Sequence, residues 1–173
     1  MDWTLLEAVK FAQAAHEGQQ RKYTHEPYIN HCLNVMQLVS MATTDTEMIA
    51  AAVLHDTIED TSVDYNVLRR KFGSGVANLV VELTDVYTLP EHGNRKVRKE
   101  KEKDRLATIS HRAQTIKLAD LIDNTSTISK YDKSFAKVYM NEKLQLLEVL
   151  KEGDNFLWDA AYKIVNDYYQ EES

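Results

Sequence analysis

The 173-residue sequence predicts an all-α fold, a bundle of about nine helices with no sheet of note. Two observations lead there. Gly and Pro are scarce, at five and two, whereas an all-β chain with a turn roughly every 8–12 residues spends more of both. Apolar residues also recur near the 3.6-residue period along most of the chain, and no stretch alternates as a strand would.

The elements follow in order. Residues 3–17 read as a helix, with Leu5, Leu6, Val9, Ala12 and Ala15 on one face and Gly18 as its stop. Residues 19–28 form a polar loop closed by Pro27. Residues 30–42 form a second helix through Leu33, Val35, Met36, Leu38 and Val39. Asp45 or Thr46 caps a third, expected over 46–59, whose run Ile49–Leu54 is apolar all round and belongs at the centre of a core. Asp64 opens a short helix ending near Gly73, and another follows over 75–86. Pro90 and Gly93 bracket a loop. The charged segment 94–107 reads as a mostly solvated helix, and 110–128 as a further one. Two last helices, 133–151 and 154–170, follow, with Asp154 after Gly153 as a cap.

Length and composition fit one domain over residues 1–173. The formal net charge is −6 and the pI near 5.5. This argues against binding along a nucleic-acid backbone, which shows as a basic domain, yet leaves room for a local basic pocket. The single cysteine, Cys32, makes no internal disulfide, and a reducing, cytoplasmic setting is the simplest expectation. Asp2, Glu7 and Lys10 interrupt the N-terminus, so it lacks a signal-peptide block. No uncharged apolar run approaches the roughly 20 residues of a membrane span. Neither a nucleic acid nor a membrane is an expected partner.

Polar chemistry interrupts the most apolar helix. Ile49–Leu54 runs into His55-Asp56-Thr57-Ile58-Glu59-Asp60. On a continuous helix His55 and Glu59 are i,i+4 neighbours, as are Asp56 and Asp60. Burying four ionisable groups unpaired is costly, so the cluster is expected to face a cleft, a metal or both. The bland reading, a cluster at a helix C-terminus, sets acids against the helix dipole. A second stripe places Asp120, Asn124 and Thr127 at i, i+4 and i+7. By itself it reads as a solvated face. Beside the first cluster it supplies a carboxylate, an amide and a hydroxyl suited to a metal ligand and its orienting bonds. His31 opens the second helix, where a lone His is ordinarily structural. With His55, Asp56 and Asp120 it completes a two-His, two-Asp set that suits a divalent transition metal. Glu59 and Asp60 then stand where they would position or deprotonate a water.

Five motifs in order resemble the HD-domain metal-dependent phosphohydrolases, and more narrowly the hydrolase domain of the RelA/SpoT family with its stand-alone small alarmone hydrolases. They are Ala14-Ala15-His16-Glu17-Gly18-Gln19-Gln20-Arg21-Lys22, Pro27-Tyr28-Ile29-Asn30-His31, the stretch Ala51–Thr61 containing His55-Asp56 and Glu59-Asp60, Phe72-Gly73 with Leu83-Thr84-Asp85, and Lys117-Leu118-Ala119-Asp120 with Asn124 and Thr127. The resemblance implies a helical HD fold. It implies Mn²⁺-dependent release of pyrophosphate from the 3′ position of guanosine tetra- and pentaphosphate, another divalent transition metal being an alternative. It implies His31, His55, Asp56 and Asp120 as metal ligands, and Glu59 and Asp60 as the water-activating pair. It also implies Arg21 against the base, with Lys22, Asn124 and Thr127 lining the nucleotide site. Tyr139 falls near a substrate-contacting tyrosine of the animal relatives, although a core or surface tyrosine is the simpler reading.

Three positions depart from the family pattern. His25 stands in place of Gly before Pro27, Cys32 in place of Pro after His31, and Leu121 and Asp123 in place of Arg and His. Asp123 is the alternative to Asp120 as ligand; it adjoins Asn124 but points about 100° away from it on the helix. The segment 95–105 carries seven basic and three acidic residues. It reads either as a solvated face or as a group of cations, Arg95, Lys96 or Lys99, over the substrate's 5′-phosphates. Without a synthetase domain the chain is expected to degrade an alarmone and not to make one. Two other functions compete: an HD phosphohydrolase acting on an adenosine alarmone, the 2′-phosphate of NADPH or a deoxynucleotide, and a nucleotide-binding sensor without turnover. Intact Glu59 and Asp60 disfavour the sensor.

Overall fold

The computed structural model describes residues 3–171, the side chains of Thr127 and Ser129 excepted. Among these residues there is no strand, one isolated bridge between Gln20 and Pro27, and a succession of helices. They fall into two compact units, Met1–Thr84 and Asp85–Ser173.

The first unit holds α1 (Leu5–Ala15), α2 (Ile29–Ala42), α3 (Thr46–Leu54), α4 (Thr57–Asp60) and α5 (Tyr65–Leu83). Thr4 and Glu7 form a reciprocal capping box at the start of α1, and Asp45 and Asp64 cap α3 and α5. Each side-chain oxygen takes an N–H that has no partner within its helix, worth roughly 1 kcal/mol per cap. Every residue from Met48 to Leu54 is buried. α3 lies against α1, α2 and α5, so its Ile49, Val53 and Leu54 each contribute about 1.5–3 kcal/mol on leaving water. Trp3 and Phe11 meet Phe72 edge-on, with centroids 5.8 and 5.4 Å away. The expected division of 64–86 into two helices appears as a kink. Gly73 has φ 86° and ψ 169° inside α5, a conformation that costs a side-chain-bearing residue.

The expected continuous helix over 46–59 is corrected. α3 ends at Leu54, and α4 is a separate single turn. Two side chains take the carbonyls that a continuing helix would use. His55 Nδ1–H donates to the Ala52 carbonyl at 2.9 Å, and the Thr57 hydroxyl donates to that of Leu54 at 2.7 Å. Side-chain bonds of this kind compete with the helical ladder. The i,i+4 relation of His55 to Glu59 therefore does not hold on one helix.

The second unit holds a 3₁₀ turn (Pro90–His92), α6 (Arg95–Leu106), α7 (His111–Tyr131), α8 (Lys133–Leu147) and α9 (Asn155–Glu171). α7 packs on α8 and α9, and α6 on α8. Ile116, Leu118, Leu121, Met140, Leu147, Leu150 and Leu157 fill the core. Asp154 caps the last helix as expected, accepting from Leu157 N at 3.0 Å. α6 is less solvated than its composition implies. Glu102 is buried and accepts from the backbone N–H groups of Val86 and Tyr87, at 2.5 and 2.6 Å, and from Arg105 Nε at 2.7 Å. It thereby ties the segment before α6 to the helix.

Candidate metal centre and anion cavity

The buried end of α3 and the first turn of α2 bring three electron-pair donors together. His31 Nε2 and His55 Nε2 are 3.2 Å apart, and Asp56 Oδ2 is 3.4 Å from the first and 3.0 Å from the second. Both imidazoles are buried, while the Asp56 side chain is 18% exposed. Because His55 Nδ1–H is given to the Ala52 carbonyl, the neutral ring presents an Nε2 lone pair. With neither Nε2 protonated, the repulsion of their lone pairs would be offset by a cation among these donors. Their separations also fit one: ligands held about 2.1 Å from a tetrahedral or octahedral cation lie roughly 3.0–3.4 Å from each other. His31, His55 and Asp56 are thus a group that can hold a metal ion.

Two residues that the motifs contain but to which the sequence assigned no role bond carboxylates here. The Tyr28 hydroxyl donates to Asp56 Oδ2 at 2.6 Å, and its ring packs edge-on to His31 with centroids 5.5 Å apart. Gln19 Nε2 donates to Asp60 Oδ2 at 3.1 Å. Glu59 and Asp60, the expected water-activating pair, are both exposed on α4.

Arg21 and Lys22 lie in the loop between α1 and α2, whose backbone is closed by Arg21 N donating to the Glu26 carbonyl at 2.9 Å and Tyr28 N donating to that of Gln19 at 2.9 Å. Arg21 is half-buried, and exposed Lys22 rests on the Tyr23 hydroxyl at 3.2 Å. His25 has φ 56°. Glycine adopts this left-handed backbone without the strain a side chain brings.

In the second unit Asp120 is buried on α7. Its Oδ1 accepts from Asn124 Nδ2 at 2.6 Å, and its Oδ2 pairs with Lys117 Nζ at 3.0 Å. Asn124, expected to line the nucleotide, thus also fixes the Asp120 carboxylate. Asp123 is half-buried, and the Thr127 side chain lies outside the described residues. The Asp120–Lys117 pair was readable as an i,i+3 spacing.

Around it opens a cavity of about 850 Å³ whose lining includes Arg95, Lys96, Lys99, Lys103, Lys117 and Lys143, with Asp85 and Glu142 among them. Arg95 binds Glu142 through two bonds, at 2.9 and 2.8 Å, and Lys99 binds Asp85 at 3.0 Å. Burial would raise the Asp85 carboxyl, but Lys117 and Lys99 outweigh it and hold it below its ordinary value. Burial, reinforced by Lys117, lowers Lys143, whose amine lies 4.6 Å over the Tyr139 ring. Burial and the nearby Asp120 carboxylate raise the half-buried Tyr139 phenol well above the usual range, so it stays a hydrogen-bond donor. Of the two readings of segment 95–105, its Arg95, Lys96 and Lys99 line this cavity.

The chain matches the HD domain family over residues 8–150. It is 38% identical over 129 residues to the guanosine-3′,5′-bis(diphosphate) 3′-pyrophosphohydrolase MESH1 of Xenopus tropicalis, covering 73% of this chain and 70% of that protein. It is 32% identical over 168 residues to the probable chloroplastic GTP diphosphokinase RSH3 of Arabidopsis thaliana, covering 94% of this chain but 23% of the plant protein. A solved structure, described as a metazoan ortholog of SpoT that hydrolyzes ppGpp and plays a role in starvation responses, superposes with a TM-score of 0.85 at 28% identity, covering 95% of this chain and 94% of that one. The helical HD fold expected from the sequence is the one observed. Among the described residues no helix is long and apolar enough to cross a membrane.

Proposed function

The chain belongs to the HD-domain family, and from that we propose a cytoplasmic, Mn²⁺-dependent guanosine-3′,5′-bis(diphosphate) 3′-pyrophosphohydrolase formed by a single hydrolase domain over residues 1–173. The observation that carries this reading is the convergence of His31 Nε2, His55 Nε2 and Asp56 Oδ2 within 3.4 Å of one another. Relatives named for this activity support the substrate.

His31, His55 and Asp56 would hold the metal, with Asp120 as the proposed fourth ligand. The mixed imidazole and carboxylate donors suit Mn²⁺ or a similar divalent ion. When bound, such an ion lowers the pKa of water and offsets charge on phosphoryl oxygens. Glu59 and Asp60 are the pair that would position the attacking water and accept its proton, while the P–O bond to the nucleoside 3′-oxygen breaks and that oxygen leaves. Arg21 offers a planar cation to a purine face, and Lys22 a point charge. The cation-lined cavity suits a polyanion, and its size lies within the roughly 300–1,000 Å³ of small-ligand sites. Lys99 and Lys117 carry their own carboxylate counterions, Asp85 and Asp120. Asn124 and Thr127 are the further nucleotide contacts proposed.

The test is to incubate the protein with Mn²⁺ and a panel of guanosine tetraphosphate, its adenosine analogue, NADPH and deoxynucleoside monophosphates, and to measure released phosphate and pyrophosphate. Pyrophosphate from guanosine tetraphosphate, lost in Glu59→Ala, is the expected result. Turnover confined to another substrate, or nucleotide binding without turnover, would overturn the assignment.

A further inference from the structure

We propose that Gln19 is a positioning residue for the Asp60 carboxylate, and that His16 sets its orientation. The proposal rests on Asp60 acting in the hydrolysis proposed above. Asp60 ends α4, a helix of four residues. One turn is too short to hold its own conformation in water, so the direction of an exposed carboxylate on it must come from elsewhere. It comes from a residue 41 positions earlier, whose Nε2 donates to Asp60 Oδ2 at 3.1 Å.

The backbone of Gln19 is fixed on both sides. Its N–H donates to the His16 carbonyl at 3.0 Å, and its carbonyl accepts from Tyr28 N at 2.9 Å. Its side-chain amide has one donor end and one acceptor end, and an ionised carboxylate only accepts. The NH₂ group must therefore face Asp60, which leaves Oε1 for His16 Nδ1, 2.8 Å away. That contact is a bond only if Nδ1 carries the proton.

The surroundings of His16 enforce this tautomer. The residue is 4% exposed, and its Nε2 is buried with no hydrogen-bond partner. A proton there would be a buried, unsatisfied N–H, which costs more than a buried lone pair. The imidazole lies 5.0 Å from the Tyr28 ring, tilted by 33°, which holds its plane. A single N–H at Nδ1 thus selects which end of the Gln19 amide faces Asp60.

The experiment measures kcat and KM for guanosine tetraphosphate with Mn²⁺ in full-length variants. Gln19→Leu should lower kcat by about 10–100-fold, the scale of a misplaced catalytic group, with KM changed less than about twofold. Combined with Asp60→Asn, it should slow the reaction no further than Asp60→Asn does alone, because Gln19 acts through Asp60. His16→Asn places an amide N–H where Nδ1 stood and should retain kcat within about threefold. His16→Gln places its amide at the Nε2 position and should fall with Gln19→Leu. Multiplicative losses in the double variant, or equal losses in His16→Asn and His16→Gln, would overturn the proposal. Nitrogen NMR of the His16 ring supplies a readout independent of turnover. It should show the proton on Nδ1, with the signal shifted in Gln19→Leu, and a wild-type proton on Nε2 sinks the relay. A wild-type enzyme inactive on every nucleotide, with the Nδ1 proton in place, would instead sink the functional assignment.

Discussion

Replacing Tyr28 with Phe removes one oxygen and leaves the ring. In the structure that oxygen donates to Asp56 Oδ2 at 2.6 Å, and the same carboxylate oxygen faces both imidazole nitrogens, at 3.0 and 3.4 Å. A bond this short to an ionised acceptor is charge-assisted, and such bonds are worth about 1.5–3 kcal/mol. At 1.36 kcal/mol per tenfold this corresponds to roughly 10–150-fold in metal affinity. Groups that orient metal ligands typically account for about 10–100-fold. An opposing effect exists, since the hydroxyl also draws electron density from Oδ2. Orientation should win, because Asp56 keeps its negative charge in either case and loses a fixed direction. The ring contacts with His16 and His31 survive, so folding stability should fall by no more than the roughly 1.5–3 kcal/mol of the lost bond. Calorimetric titration of metal-free wild type and Tyr28→Phe with Mn²⁺ measures the difference directly. Affinities equal within twofold would refute the reasoning.

Three further outcomes are expected. Asp120→Ala should lose metal by elemental assay of the purified protein while Asp123→Ala keeps it, and the reverse would move the fourth ligand one helical turn. Asp85→Asn should destabilise the protein by about 1–3 kcal/mol at neutral pH. The folded Asp85 carboxyl is held below its ordinary value of 3.8, so its contribution is present above that value and is lost as pH falls through the lower folded one. Urea unfolding should show the gap between wild type and variant narrowing from about pH 4 downward, and a constant gap would contradict the pairing with Lys117 and Lys99. His25→Gly should leave stability unchanged or raise it by up to about 1 kcal/mol, since a side chain at positive φ costs roughly 1–2 kcal/mol and glycine's extra freedom returns part of that. A clear loss in thermal unfolding would show that the His25 side chain holds the loop.

The caps and stops of the helices were legible because they are local. Asp45, Asp64 and Asp154 each bond an N–H two or three residues ahead, and the kink at Gly73 follows from a residue without a Cβ. The break after Leu54 was not legible. Helical periodicity continues unbroken through 46–59, and the interruption comes from His55 and Thr57 turning back to bond backbone carbonyls. The grouping of His31, His55 and Asp56 could be read from motif order. Their supports could not: Tyr28 and Asp56 are 28 residues apart, Gln19 and Asp60 are 41, and no period in the sequence records such contacts. In α6 the composition implied a solvated helix, yet its middle carboxylate, Glu102, is buried because it satisfies two backbone donors and Arg105.

The crowding of Lys143 against Lys117 ties thermal stability to what occupies the cavity. Burial and Lys117 lower Lys143 against the opposing pull of Asp120, Asp85 and Glu142, so a polyanion in the cavity should favour the folded chain. Any ligand bound to the folded state alone adds RT ln(1 + [L]/Kd) to its stability. Pyrophosphate, or the phosphate of a buffer, should therefore raise the melting temperature of this protein, and an unchanged melting temperature would contradict the reasoning. Conversely, Lys143→Met should make the empty protein more heat-resistant while blunting its response to anions, a trade of robustness against recognition of the kind functional sites impose.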